Sequence, residues 1–319
     1  MFLWLPVIAG ITCNFRQFPL FLQNKIIYLM ALSRHAHRPW FNYMLLLFGV
    51  VCISWSAILV KLAGISGFAS AFYRMAFGLV AILPLWFRFR KPVTDRHGVK
   101  IALLCGLLFA SDIALWNTSI MLSKASISTL LANMAPVWVG LGALFVFKEH
   151  PGRVFWLGAA VALAGISIVM GLDKFSASDF SFGNLLSIIA SMFYGAYLLI
   201  TRKGRNTLDT FSFTFLSMVS STVFLGLLCL VTGVPMGGFP AQTWWALAAL
   251  GIVPQMLGWL AINYALAYIQ PTVASVTLLS QSILTALFSI PLLGEFISTR
   301  EMIGALIALT GIYLVNAKK

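Results

Sequence analysis

A single carboxylate, Asp112, stands in the middle of a long apolar stretch, LLFASDIALWNTSIML. A charge at that depth in hydrocarbon is costly, so such residues face a bundle interior or a wet cavity and mark ion or substrate paths. Two kinds of chemistry suit it: carrying a proton, or serving as counter-charge to a substrate amine. The plain alternative is a buried Asp hydrogen-bonded to neighbouring helices. Trp116 follows one helical turn later and shares its face.

Other polar side chains recur at helical spacing. Gln255, Trp259 and Asn263 fall at i, i+4 and i+8, one stripe that should look toward protein or water rather than acyl chains. They can line a cavity or glue helices together, and Pro254 beside them predicts a kink that frees a backbone carbonyl. Asn133 lies three residues before Pro136, and Thr277, Gln281 and Thr285 repeat the i, i+4, i+8 pattern, although helical Thr often only bonds back to its own helix. Trp55–Ser56 and Tyr194–Gly195, followed by Tyr197, are aromatics placed either to close over a small ligand or simply to pack. Arg74, six residues into its apolar run, is read as snorkelling to the outer interface; the other role open to it is to hold an anionic group.

Covalent and metal chemistry find little support. Cys13, Cys52, Cys105 and Cys229 are isolated in apolar stretches without ligand spacing. His35 and His37 precede the first confident span, and His97 and His150 stand alone in loops. No cofactor or metal site is expected.

The elements that must position these residues are membrane spans. Of 319 residues, 61% are hydrophobic and 9% charged, too few polar groups to cover a water-soluble surface. The net charge of +13 gathers in a few loops, which argues against a nucleic-acid partner and for the positive-inside bias. Ten apolar runs near the length of a spanning helix follow one another: 42–62, 68–87, 101–121, 125–147, 154–172, 182–201, 210–232, 243–268, 271–293 and 301–317. Alternate loops on one side collect Arg34, Arg38, Arg88, Arg90, Lys91, Arg96, Lys100, Lys148, Arg153, Arg202, Lys203, Arg205, Lys318 and Lys319. The other side has Lys61, Lys124, Lys174 and Arg300 beside Asp173 and Asp179. That asymmetry predicts both termini in the cytoplasm. Residues 1–40 stand apart: the apolar opening Met1–Cys13 is too short to span and lacks the basic start of a signal peptide, and Met30 offers an alternative start.

The chain also repeats itself. EHPGRVFWLGAAVALAGISIV from Glu149 and EFISTREMIGALIALTGIYLV from Glu295 each place two glycines seven residues apart on one face, Gly158/Gly165 and Gly304/Gly311. The shift of 146 residues also brings Asn117 onto Asn263 and Asp112 onto Gly258. The glycines, with Ala159, Ala162 and Ala308, predict close helix packing rather than substrate contact. Glu149 and Glu295 are read as caps at the positive helix end. Five spans per copy is odd, so the second copy must enter the membrane inverted. The predicted fold is an all-α membrane protein of ten transmembrane helices, as two inverted five-helix repeats (41–173 and 182–317) around a central cavity.

These features together resemble the EamA-domain members of the drug/metabolite transporter superfamily over Phe41 to Ala317. The resemblance rests on two five-helix units, each ending in Glu, a short loop and the paired-glycine helix. It implies a multi-pass permease of the bacterial inner membrane, often an exporter of amino acids or other small metabolites, with its site between the halves. It leaves the substrate open among amino acids, cofactor precursors, nucleosides and drugs.

The expected function is a secondary transporter, not an enzyme, that moves a small metabolite such as an amino acid by alternating access with Asp112 as a candidate for proton coupling. Its expected partners are that small molecule and the lipid bilayer; a homo-oligomer is compatible with the sequence. Asp112, Trp116, Asn133, Gln255, Trp259, Asn263 and Gln281 are the expected substrate-binding residues. The competing reading, a polytopic membrane enzyme acting on a lipid or headgroup, would need a nucleophile or metal constellation near the headgroups.

Overall fold

Lipid offers the backbone no hydrogen bonds, so a chain this apolar must satisfy its own amides and carbonyls within helices or a closed barrel. In the computed structural model, which describes residues 39–92, 95–122, 125–169, 171, 181–293 and 298–317, every regular element is helical. Nine helical stretches among these residues are long and apolar enough to cross a bilayer, and Arg153–Val169 is a shorter apolar helix of 17 residues. The predicted N-terminal extension, apart from Pro39 and Trp40, and the position of Glu295 lie outside the described residues. Apolar side chains such as Leu230, Val231 and Trp245 point outward, as a lipid-facing surface requires.

In chain order the helices are α1 (Pro39–Ser54), α2 (Ser56–Ala63), α3 (Gly67–Phe89), α4 (Arg96–Leu122), α5 (Ala125–Ala132), α6 (Ala135–Phe145) and α7 (Arg153–Val169). They continue as α8 (Phe182–Arg205), α9 (Thr210–Thr232), α10 (Ala241–Leu250), a π-helical segment (Gly251–Gly258), α11 (Trp259–Ala265), α12 (Pro271–Leu278), α13 (Ser280–Leu293) and α14 (Thr299–Ala317).

Four of the long stretches are interrupted partway. Trp55 separates α1 from α2, and the Thr285 hydroxyl donates to the Ser54 carbonyl there at 2.7 Å. Asn133–Met134 separate α5 from α6, where Pro136 has no amide hydrogen to continue the ladder. Leu279 separates α12 from α13. The predicted kink at Pro254 is a whole π-helical turn, the wider form that often occurs at functional sites.

Glycines let backbones approach where side chains could not. A Cβ on Gly258 would sit 3.1 Å from Cys52 Cβ, and one on Gly78 would sit 2.8 Å from Gln255 Cγ, so α1 and α3 both press on the π segment. A close seam joins α7 and α14. A Cβ at Gly158 would lie 2.8 Å from the Gly311 carbonyl oxygen, and one at Gly165 would lie 2.6 Å from that of Gly304. The earlier glycine of α7 thus meets the later glycine of α14, and the two helices run antiparallel.

Of the two signature glutamates, Glu149 behaves differently from expectation. Glu149 stands four residues ahead of α7 and reaches Arg202 at 3.5 Å on the exposed surface instead of capping the helix. At α14 the cap is Ser298 with Glu301: the Ser298 amide and hydroxyl donate to Glu301 Oε2 at 2.6 and 2.8 Å, a capping box.

Candidate functional site

Each of the four interruptions delivers a side chain to one place. Ser56 follows the break at Trp55, Asn133 sits in the second break, Trp259 follows the π segment, and Gln281 lies two residues beyond Leu279. All four line a single cavity of about 210 Å³. A regular helix would point these residues along fixed stripes; the breaks re-aim them inward.

Two charged side chains line the same cavity, Arg74 from α3 and Asp112 from α4. Arg74 does not snorkel. Its Nε donates to Gln255 Oε1 at 2.7 Å, and Gly78, one turn later on the same face, lets the π segment close enough for that contact. Asp112 makes no hydrogen bond or ion pair among the described residues; the titratable groups facing it are Arg74 and Tyr194. Opposite charges therefore share one enclosure without being joined.

The walls are aromatic and carry unused donors. Trp259, 4% exposed, is wedged between Phe109 at 4.6 Å and Tyr194 at 6.0 Å between ring centroids. Ser56 Oγ, Trp116 Nε1, Tyr194 Oη and Trp259 Nε1 are buried without a hydrogen-bond partner among the described residues. Buried polar atoms are nearly always paired, so four unpaired ones in residues that line one cavity are exceptional. Asn133 donates to Ser282 Oγ at 3.2 Å, and Thr129 and Thr285 complete the polar lining.

Of the residues expected at the site, Asp112, Trp116, Asn133, Trp259 and Gln281 come together on this cavity. Gln255 and Asn263 do not line it. The i, i+4, i+8 stripe presumed an α-helix, but Gln255 lies in the π segment, whose larger turn rotates each residue through a smaller angle, so Gln255 faces Arg74 from behind. Asn263 is 1% exposed and serves packing: it accepts from Tyr197 Oη at 2.8 Å and donates to Thr214 Oγ1 at 3.2 Å. Its carbonyl accepts from Arg205 Nε at 3.1 Å, and Arg205 also donates to the Leu208 carbonyl and Thr210 Oγ1. Thr277 bonds back to the Val273 carbonyl at 2.9 Å and pairs with Asn316, away from the cavity. The polar lining residues that sequence reasoning left aside are Thr129 and Ser282, short hydroxyls near the breaks; Phe109 and the aliphatic Ile53 and Ile113 carried no signal that set them apart from lipid-facing residues.

This arrangement can enclose a small molecule, offer it both signs of charge and stack aromatic faces on it. Among the described residues no cluster of three or more His, Cys, Asp or Glu could hold a metal ion.

Comparison with known proteins agrees with that reading of the fold. A solved crystal structure superposes with a TM-score of 0.75 at 16% identity, over 86% of this chain and 96% of its own. The transporter YdfC of Bacillus subtilis is 22% identical over 268 residues, 80% of this chain and 85% of that protein. The pseudopaline exporter CntI of Pseudomonas aeruginosa is 26% identical over 208 residues, 65% of this chain and 70% of its own length. The family model described as the EamA-like transporter family matches residues 40–171 and again 181–317. With the family matched twice along a multi-pass helical membrane protein, the chain belongs to the EamA-like transporter family.

Proposed function

We propose that this transporter exports a small metabolite of amino-acid size across the bacterial inner membrane by alternating access, exchanging it for a proton at Asp112. The observation that carries the proposal is the unpaired Asp112 carboxylate on a cavity walled by segments from both sequence repeats. A cavity of about 210 Å³ is below the range typical of drug-sized ligands, which favours a small metabolite. Export is the direction named for one relative, CntI.

The proposed architecture is ten spans in two inverted repeats, 41–173 and 182–317, with both termini cytoplasmic. Its support is the α7/α14 seam: the two helices occupy equivalent places in the repeat, yet run antiparallel, as an inverted copy must. The loop charges support the orientation. In that orientation Trp259 and the Tyr197–Asn263–Arg205 network lie on the cytoplasmic side of the cavity. Rocking one repeat against the other would part Trp259 from Phe109 of the first repeat and open the cavity inward.

Asp112 provides the coupling. A carboxylate can neutralise an ammonium or hold a proton, but not both, so the substrate leaves when a proton arrives and binds when the proton is released. The test is transport in proteoliposomes holding a labelled amino acid, with and without an imposed pH gradient. The wild type should accelerate several-fold with the gradient, and Asp112→Asn should lose that acceleration. Equal gradient response in both would overturn the coupling. Transport of no amino acid, nucleoside or cationic compound by the folded protein would overturn the function.

A further inference from the structure

We infer that the cavity is built for a zwitterion with an apolar side group, whose carboxylate is read by Arg74 and whose ammonium is read by Asp112. This rests on the proposed transport function and adds the substrate class and the residue that selects it.

The inference starts from how Arg74 is held. A guanidinium has five N–H donors in a planar fork. Gln255 takes the Nε donor at 2.7 Å, which fixes the plane, and the terminal nitrogens make no hydrogen bond among the described residues. Those nitrogens belong to a residue lining the cavity, so the part of the fork suited to a carboxylate is left for a guest. Gln255 is thus a positioning residue and Arg74 the binding one.

Asp112 supplies the complementary half. It lines the same cavity, Arg74 acts on it electrostatically, and the two form no ion pair. Two opposite charges line one cavity without joining, Arg74 with its terminal nitrogens unused and Asp112 without a hydrogen bond among the described residues, and one molecule bearing both charges completes both. Discrimination follows from repulsion as well as attraction. A cationic drug would meet Arg74, and a simple carboxylate would meet Asp112. Beside the polar lining, Ile53, Phe109, Ile113, Trp116 and Trp259 give the wall an apolar and aromatic portion that suits a hydrocarbon side group.

Three probes separate the terms: L-leucine; L-leucinamide, which lacks the carboxylate; and 4-methylpentanoate, which lacks the amine. Binding is measured by calorimetry and ligand-induced thermal shift on the full chain in lipid nanodiscs. The wild type should prefer leucine to either analogue by about tenfold or more, because a site built to pair a group rejects the analogue lacking it. In Arg74→Gln the gap between leucine and leucinamide should close. In Asp112→Asn the gap between leucine and 4-methylpentanoate should close. Gln255→Leu should weaken leucine and 4-methylpentanoate while sparing leucinamide, a pattern that general loosening of the fold would not produce. Arg74→Lys keeps the charge without the fork and should retain part of the preference. Should Arg74→Gln not fold, the wild-type ranking with Arg74→Lys and Gln255→Leu decides.

Equal wild-type affinity for leucine and leucinamide, or an undiminished leucine preference in Arg74→Gln, would overturn the inference. So would absence of binding of all three probes to folded wild type. Proteoliposome transport of nucleosides or cationic compounds by the same preparation would then leave the transporter reading standing while the zwitterion reading fell.

Discussion

Asn263 and Asp112 show how far single residues can be read. Sequence places both deep in a span, both polar, both beside a Trp at helical spacing. Asp112 lines the cavity, whereas Asn263 joins Tyr197 to Thr214. The discriminating signal lay in the repeat: Asp112 aligns with Gly258, but Asn263 aligns with Asn117. Asn117 donates to the Gly67 carbonyl at 2.7 Å, much as Asn263 donates to Thr214, one residue from the position equivalent to Gly67. A polar residue kept in both halves does the same structural task twice. Asn263→Ala should therefore leave ligand affinity at the cavity unchanged and cost about 1–3 kcal/mol of stability, because it strands the buried Tyr197 hydroxyl. Thermal denaturation and calorimetry on the same preparation check the two halves of this expectation. Arg74 was the harder residue, since depth alone is consistent with snorkelling; its inward turn depends on Gly78 admitting the π segment.

At the scale of elements, hydrophobic runs locate the long helices, because lipid imposes a length and forbids polar interruptions. The same runs hide the breaks. Pro254 and Pro136 hint at two of them, but Trp55 and Leu279 carry no Gly or Pro that would mark an interruption. Those breaks are set by tertiary contacts such as Thr285 to the Ser54 carbonyl, which span the chain and leave no local trace. The α7/α14 seam, by contrast, is written plainly in its glycine spacing. Gly311→Ala would drive a methyl into the Ala162 backbone, and it should lower stability by about 1–3 kcal/mol, with a lower midpoint in thermal unfolding. Gly152→Ala is the matched control. Nothing lies within 4 Å of the methyl it would add, and its midpoint should stay within error of wild type.

For the whole molecule, the proposed inverted repeat makes a geometric prediction that no single helix does. The loop before α7 and the loop before α14 hold equivalent places in the two copies and should lie on opposite faces of the membrane. Gly152→Cys and Ser298→Cys, each in a chain with its four cysteines replaced, should react with a membrane-impermeant maleimide from opposite sides. Ser298→Cys should label in intact cells, and Gly152→Cys only after the membrane is opened. Labelling of both from one side would refute the inversion and, with it, the simplest route to alternating access.

The α7/α14 seam carries a further consequence. Gly158 meets Gly311 and Gly165 meets Gly304, so exchanging the two halves returns the same set of contacts. Such a surface is its own complement. Under the proposed inversion, a product of half this length would carry a face matched to that of a second copy inserted the other way up. Fusion of two such copies would lock the pair at equal numbers and release each half from having to match the other. Asp112, at the position equivalent to Gly258, is a difference that two joined copies allow and two identical copies would not.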